Sequence, residues 1–233
     1  MRITAISDCH GLLPKIDPCD LLIIAGDMNP IGMDNPFMQA NWYNSTYQNW
    51  LINNPCNRTL CIHANHEIVA ERYPNMLKDF YRNIEKDGVS YLHCESVEYQ
   101  GLKVWGSPFS LPYGKSWAFM HDDEYLEKVY DQIPLDTSII INHGPPYGIL
   151  DKSKITGEIC GSKSLLKALE RVSPKLCCFG HLHEGYGLYL QDFCDRHTTI
   201  MANCSLLDHF VSRTELTNKP MKFQTSTQID LVI

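Results

Sequence analysis

Residues 2–10 read RITAISDCH, an apolar run that ends in an aspartate and a histidine. The run at 2–7 is typical of a buried strand, so Asp8 and His10 follow its carboxyl end directly. Because these two residues are two positions apart, we expect their side chains to point the same way at the strand end. The stretch therefore predicts a strand that delivers two metal-ligating side chains at one edge of a sheet, with Cys9 between them turned into the core.

The same arrangement recurs four times along the chain. Strand-like runs at residues 21–25, 59–63, 138–141 and 175–179 are followed by Gly-Asp, Asn-His-Glu, Asn-His and Gly-His-Leu-His. Open α/β sheets bind their ligands outside the carboxyl ends of the strands. The repeated placement therefore predicts a dinuclear metal hydrolase whose candidate ligands are Asp8, His10, Asp27, Asn65, His143, His181 and His183.

The donor types restrict the choice of metal. Asp27 can offer one oxygen to each of two ions and so bridge them, while Asn65 supplies a neutral amide oxygen that limits the negative charge. Neutral imidazoles are the commonest ligands of transition metals in proteins. Since every donor is oxygen or nitrogen, the set excludes a closed structural zinc site of cysteines. We predict two divalent transition-metal ions per chain, with Mn²⁺ as first choice and Fe, Zn or Mg as alternatives.

Composition excludes several classes of protein. The 233 residues are 44% hydrophobic and predict a single domain over 1–233. A net charge of −7 and the lack of a basic tract argue against a nucleic-acid partner, and an anionic substrate would need bound cations. The sequence contains no run of about 18 apolar residues, so we predict no membrane span. The ten cysteines contain no C-x-x-C pair, and we expect them to be buried free thiols. Because the sequence shows no signal peptide, we expect a cytoplasmic location. The sequence leaves the oligomeric state open.

Periodicity between the motifs predicts an α/β fold. Two mixed β-sheets packed face to face and flanked by helices would close over one site. Residues 106–120, rich in Pro, Gly and aromatic residues, are expected to form a loop near that site. The remaining predicted elements are a hairpin at 97–105 that turns at Gln100 and Gly101, helices near 43–51, 71–86, 126–133 and 165–172, and short strands at 186–190, 198–202 and 228–232.

The five blocks, in this order, resemble the calcineurin-like metallophosphoesterases. The pattern of that superfamily is Asp-x-His, Gly-Asp, Gly-Asn-His-Asp/Glu, a separate His and Gly-His-x-His. Phrases at residues 105–108 (WGSP), 143–146 (HGPP) and 180–187 (GHLHEGYG) are similar to its class III cyclic-nucleotide phosphodiesterase-like branch, the metallophosphoesterase-domain proteins first noted in brain. The similarity runs from residue 3 to about residue 205. It implies the four-layer αββα metallophosphoesterase fold.

The resemblance also implies a role for each matched residue. It assigns Asp8, His10, Asp27 and His183 to the first ion, and Asp27, Asn65, His143 and His181 to the second. His66 matches the catalytic histidine of the family, and Glu67, the glutamate of the branch, is expected to orient it. Ala64 is a departure, because the family normally has Gly there; a required positive φ would strain an alanine.

The activity that the resemblance implies is that of a phosphodiesterase acting on small phosphodiesters such as cyclic nucleotides. A metal-bridging hydroxide would attack phosphorus, and His66 would protonate the leaving oxygen. Aromatic side chains would stack on a base if their loops face the metals; otherwise the substrate-binding residues are unknown. These side chains are Trp105, Phe109, Tyr113, Trp117 and Tyr147.

Three alternative functions stay open. A phosphomonoesterase acting on phosphoprotein or nucleotide would use the same ligands. A nuclease is disfavoured by the acidic charge, and a non-catalytic scaffold by the fact that all ligand positions are filled. The other histidines lack a motif context, and ordinary structural or surface roles are expected for His63, His93, His121, His197 and His209.

Overall fold

The strands of the described residues form two sheets. The computed structural model describes residues 1–114, 117–154, 156–193, 198–207 and 226–230. The first sheet has the order β11-β1-β2-β3-β4 and consists of β1 (Arg2–Ile6), β2 (Cys19–Ile24), β3 (Cys56–Cys61), β4 (Val89–Tyr91) and β11 (Thr227–Asp230). The second has the order β5-β6-β7-β8-β10-β9 and consists of β5 (Glu95–Tyr99), β6 (Leu102–Ser107), β7 (Ile139–Asn142), β8 (Leu176–Phe179), β9 (Gly187–Asp192) and β10 (Thr198–Asn203).

Both sheets are mixed, with parallel strands inside and antiparallel strands at edges. Strands β1 to β4 are parallel, and β11 pairs antiparallel with β1. In the second sheet β6, β7, β8 and β10 are parallel, while β5 and β9 are antiparallel edge strands. The carboxyl ends of the parallel strands within each sheet therefore share one edge, where the motifs lie.

Helices cover the outer face of each sheet. The first sheet packs against α1 (Pro36–Trp42), α2 (Gln48–Ile52), α3 (Ile68–Arg72) and α4 (Lys78–Glu85). The second packs against α5 (Asp123–Tyr130) and α6 (Lys163–Val172), whose first turns are capped by Asp122 and Ser162. The prediction of two mixed sheets face to face with flanking helices is confirmed.

The core between the sheets is apolar from both sides. Ile3 and Leu21 of the first sheet and Ile139 and Leu176 of the second are fully buried in it. The residues that alternate with them along each strand, such as Leu22 beside Leu21 on β2, are buried under the helices instead. Strands buried on both faces read as continuous apolar runs, which is why the sequence shows them so clearly.

The local elements differ from the predictions in three places. The predicted helix at 71–86 is interrupted by a 3-10 turn at Pro74–Leu77, because proline lacks the N–H group and forces Tyr73 out of the α region, at φ −138°. A π-helical turn at Tyr43–Tyr47 joins α1 to α2. The short strand β4 was not predicted.

Other predicted elements are present. The hairpin β5–β6 turns at Gln100 and Gly101, both with positive φ as a two-residue turn requires. The strand predicted at 228–232 overlaps β11, although residues 231–233 lie outside the described part of the chain.

The two sheets are joined at the edge that carries the motifs. Ser7, which follows β1, forms a β-bridge with Ser205, which follows β10. The N–H of Ser7 donates to the carbonyl of Cys204, and the N–H of Leu206 donates to the carbonyl of Ser7. Among the described residues, no helix is long and apolar enough to cross a membrane. A single domain over 1–233 and a cytoplasmic location stay predictions.

Candidate metal centre

The structure brings the seven predicted ligands together at the joined edge of the two sheets. The ligating atoms of six of them, with those of His66, fall into three groups in which all atoms lie within 4.8 Å of one another. Asp27 and His10 each belong to two groups, and Asp27 connects His10 with His143 and His181, which is the position expected for a bridging carboxylate. The groups are Asp8 with His10 and His183, His10 with Asp27 and His66, and Asp27 with His143 and His181.

Left-handed backbone, not strand alternation, aims several of these side chains. Strand β1 ends at Ile6, and Asp8 and His10 follow with φ of 53° and 45°. Asp27 and His181 also have positive φ, 53° and 67°. Such conformations are uncommon outside glycine and cluster at functional sites. Asp8 and His10 therefore converge as expected, but the cause is this left-handed backbone and not the alternation of residues along a strand.

The Asp8 group has the spacing of ligands around one ion. Nε2 of His183 lies 3.3 Å from Nε2 of His10 and 3.3 Å from Oδ1 of Asp8. Two ligand atoms that are each about 2.0–2.2 Å from a metal lie roughly 3.0–3.5 Å apart. Oδ1 of Asp8 is buried and faces Nε2 of His183, whereas Oδ2 accepts from the N–H of His181 and the hydroxyl of Ser205. One oxygen is thus anchored and the other is available to an ion.

The second group is built around Asn65. Its Oδ1 lies 2.8 Å from Nε2 of His143 and 2.9 Å from Nδ1 of His181. Nε2 of His143 also lies 3.4 Å from Oδ2 of Asp27. The Nδ1–H of His143 donates to the carbonyl of Ala25 at 2.9 Å, which presents Nε2 to the site, as in histidine ligands supported by a backbone carbonyl. The residues present fit two divalent ions.

Without metal, protons occupy part of the centre. Burial opposes the charged imidazolium, but the charge of Asp27 raises the pKa of His143 to about 9. Burial likewise opposes protonation of His183, and its hydrogen bond to Asp8 raises its pKa. Burial lowers the pKa of His10 and of His181 to about 3. His143 therefore carries a proton near pH 7 when no metal is bound, and an ion must displace it to gain this ligand.

Glu67 has a different role from the predicted one. It is fully buried, and its carboxylate accepts the backbone N–H groups of Asp27, Met28, Asn29 and Ala64 at 2.7–3.1 Å. It thus ties the loop after β2 to the loop after β3, and no described contact joins it to the ring of His66. Burial, and then the charge of Asp27, raises the pKa of Glu67 to about 8 against the lowering effect of these N–H donors.

His66 faces the cleft beside the ligand groups. Its ring lies 4.4 Å from that of Trp117, and its Nε2 lies 3.9 Å from Oδ2 of Asp27. The side-chain amides of Asn29 and Gln39 donate to its carbonyl oxygen, and its own N–H donates to Oδ1 of Asp27. The backbone of His66 is therefore fixed while the ring remains accessible from the cleft.

Small residues allow the loops to approach closely. A Cβ atom on Gly26, whose φ is +94°, would lie 2.4 Å from Cβ of Ala64, and one on Gly180 would lie 2.2 Å from Oδ2 of Asp8. Ala64 itself does not have a positive φ. The alanine in place of the family's glycine is therefore unstrained, and its methyl group packs against Gly26.

The centre opens into a cleft of about 290 Å³. From the loop at 106–120, Tyr113 and Trp117 line this cleft, whereas Phe109 is buried in the core beneath it. Trp105 is also buried in the core, and Tyr147 lies in a different surface depression. Of the five aromatic side chains considered for stacking on a base, two therefore line the cleft.

The far wall of the cleft was not predicted. It includes Ser153, Thr156, Glu158 and Cys160, together with Glu184 next to the ligand His183. These residue types carry no motif, so only the folded chain identifies them. No lysine or arginine is among the described residues that line the cleft.

The remaining histidines lie outside the metal groups found in the described part of the chain. His63, His93 and His121 line a separate cavity. His197 and His209 fall outside the described residues.

Comparisons with known proteins agree with this geometry. The sequence model described as calcineurin-like phosphoesterase matches residues 1–185. Metallophosphoesterase domain-containing protein 1 of Homo sapiens is 29% identical over 212 residues, 80% of this chain and 62% of the relative. UPF0046 protein C25E10.12 of Caenorhabditis elegans is 29% identical over 227 residues, 90% of this chain and 76% of the relative. The chain thus spans about 62% of the length of its human relative.

The fold is also similar to a solved structure. The crystal structure of TT1561 of Thermus thermophilus superposes with a TM-score of 0.55 at 14% identity and covers 87% of this chain and 88% of that one. At this identity the likeness shows the fold alone.

Proposed function

Because the chain belongs to the calcineurin-like phosphoesterase family, we propose that it is a metal-dependent phosphodiesterase acting on small phosphodiesters such as cyclic nucleotides. The observation that carries this proposal is the convergence of seven oxygen and nitrogen donors at one edge of two sheets. When bound, two divalent ions would neutralise the phosphate oxygens and lower the pKa of the attacking water. The donor set makes Mn²⁺ our first choice.

Each ion would be held by residues from both sheets. Asp8, His10, Asp27 and His183 are proposed for one, and Asp27, Asn65, His143 and His181 for the other. The anchored oxygen of Asp8 and the backbone contact of His143 hold these ligands before any ion arrives. Such preorganisation is what charge stabilisation in a transition state requires.

His66 is proposed as the general acid. Its ring faces the cleft, lies close to Asp27 and is not needed as a ligand. A leaving alkoxide is a strong base, and protonation by a positioned histidine typically contributes a factor of about 10²–10⁴. Trp117, in contact with His66, is proposed to stack on the base of a nucleotide.

The charge of the cleft favours a diester over a monoester. Glu158 and Glu184 line it, without lysine or arginine among the described lining residues. A phosphomonoester carries roughly −1.5 to −2 charges near pH 7, whereas a diester carries one. The greater repulsion of a dianion by these carboxylates therefore supports phosphodiester substrates.

A phosphomonoesterase is the second candidate, because the same donors would serve it. The test compares bis-p-nitrophenyl phosphate, p-nitrophenyl phosphate and cyclic nucleotides with the Mn²⁺-reconstituted chain. We expect kcat/KM to be at least about tenfold higher for the diester than for the monoester, a difference of about 1.4 kcal/mol. A reversed preference would favour the phosphomonoesterase.

Two controls accompany this assay. The Asp27→Asn variant, purified in the same way, reports any contaminating phosphatase. Thoroughly chelated protein should be inactive until metal is restored. Full activity in demetallated protein would end the metal-dependent proposal.

A further inference from the structure

A second cavity, of about 550 Å³, takes no part in the chemistry proposed above. Its wall includes His63, Tyr81, Tyr91, His93, Phe109 and Phe119, and we name it the His63 pocket. Pockets that bind small molecules are typically about 300–1,000 Å³, mostly apolar or aromatic, with a few polar groups. In size and lining the His63 pocket matches this class.

Two buried polar atoms of the wall lack partners. His63 is 3% exposed; its Nδ1 bonds to the hydroxyl of Tyr43, which does not line the pocket, and its Nε2 has no hydrogen-bond partner. The buried hydroxyl of Tyr81 also has none. The rings of His63 and Tyr81 are neighbours, with centroids 5.5 Å apart. Buried polar atoms in native proteins nearly always have partners, which points to a group that enters this pocket.

Aromatic rings make up much of the wall. The rings of His63 and Phe119 are parallel, with an interplanar angle of 1° and centroids 6.4 Å apart, and Tyr91 lies 4.5 Å from His63. Exposed Glu71 and Lys78 also line the pocket, so its charged groups include one of each sign. Nothing in this lining selects a charged ligand.

A short segment separates the His63 pocket from the metal cleft. Trp117 lines the cleft and Phe119 lines the pocket. Between them, the N–H of Ala118 donates to the carbonyl of Asn65, and the N–H of Phe119 donates to Glu71. The two cavities are therefore neighbours with separate linings.

We propose that the His63 pocket binds a small uncharged heteroaromatic molecule whose edge carries a hydrogen-bond donor next to an acceptor. Imidazole and phenol groups can each take either role, so such an edge satisfies both unpartnered atoms. The aromatic wall would cover the faces of the ring.

The probe is 7-azaindole, which has adjacent donor and acceptor nitrogens. Indole lacks the acceptor and indene lacks both groups. Binding to the metal-reconstituted chain is measured by saturation-transfer NMR and calorimetry. We expect 7-azaindole to bind at millimolar concentration or below, and at least about threefold more tightly than indole, with indene weakest. No detectable binding of 7-azaindole, or equal binding of all three, would overturn the proposal.

Variants locate the probe. Tyr81→Phe removes only the hydroxyl and should weaken 7-azaindole at least about threefold while leaving indene unchanged. Ala70→Phe, which adds a ring to the wall, should abolish binding. Tyr113→Phe, a matched change in the metal cleft, should have no effect. Displacement by vanadate, or binding that survives both pocket changes, would place the probe elsewhere and contradict the proposal.

Discussion

The two sheets contribute different chemistry to the metal centre. The first supplies both carboxylates, the amide and one imidazole, and its loops are tied together by Glu67. The second supplies imidazoles only, and these depend on the first sheet: His143 donates to the carbonyl of Ala25, and the N–H of His181 donates to Asp8. The first sheet thus carries the charge and organises the site, whereas the second completes it.

Asp27→Asn tests this division most severely. Because this first-sheet carboxylate is grouped with His10 and also with His143 and His181, its loss should weaken both ions and lower hydrolysis by at least about 10³-fold. The second-sheet change His183→Ala should mainly deplete one ion. Elemental analysis together with the diesterase assay distinguishes them, and two ions with normal activity in Asp27→Asn would refute the bridging assignment.

Glu67→Gln tests whether the first sheet is organised by a single side chain. The amide group would face backbone N–H donors, and each unsatisfied donor costs about 1–3 kcal/mol. We expect a lower melting temperature and a metal affinity reduced about 10–100-fold. Glu71→Gln is the matched control, since Glu71 accepts one backbone N–H at an exposed position. Equal effects of the two changes would show that Glu67 has no special role.

The variant His66→Ala tests whether His66, which follows a strand of the first sheet, acts in catalysis without binding an ion. Both ions should be retained, and the defect should depend on the leaving group. Because p-nitrophenolate departs without a proton and a ribose alkoxide does not, the variant should lose at least about tenfold more rate on a cyclic nucleotide than on a p-nitrophenyl diester. Equal losses with normal metal content would exclude the general-acid role.

The histidines of the second sheet should release protons when metal binds. The pKa of His143, raised to about 9, means that this residue is protonated near pH 7 without metal, and the hydrogen bond to Asp8 raises the pKa of His183 as well. Ligation requires the neutral form, so metal binding should release roughly one to two protons, and affinity should fall as the pH is lowered. Calorimetry in two buffers of different ionisation enthalpy measures this number. A value of zero would contradict the assignment of these charges.

The sequence predicted the elements that carry strong local signals. Apolar runs that end in Asp, Asn or His identified the parallel strands and the donors at their ends, because strands buried on both faces are read directly from composition. The loop at 106–120 was expected near the site, and Tyr113 and Trp117 do line the cleft.

Features that depend on tertiary contacts could not be predicted from the sequence. The left-handed backbone at Asp8 and His10 is imposed by the surrounding fold, since neither residue prefers it. Three of the four N–H bonds of Glu67 join loops about 40 residues apart, and no local pattern encodes them. Glu158 and Glu184 are chemically ordinary until the chain brings them to the cleft.

The order of donors along the chain has a consequence for synthesis on the ribosome. The four first-sheet donors end at Asn65, and the last second-sheet donor is His183. At about 5–20 residues per second, the interval between them takes roughly 6–24 s. A nascent chain therefore presents an oxygen-rich half-site first, which hard cations such as Mg²⁺ can occupy. Selection of a transition metal has to wait until translation delivers the three imidazoles of the second sheet.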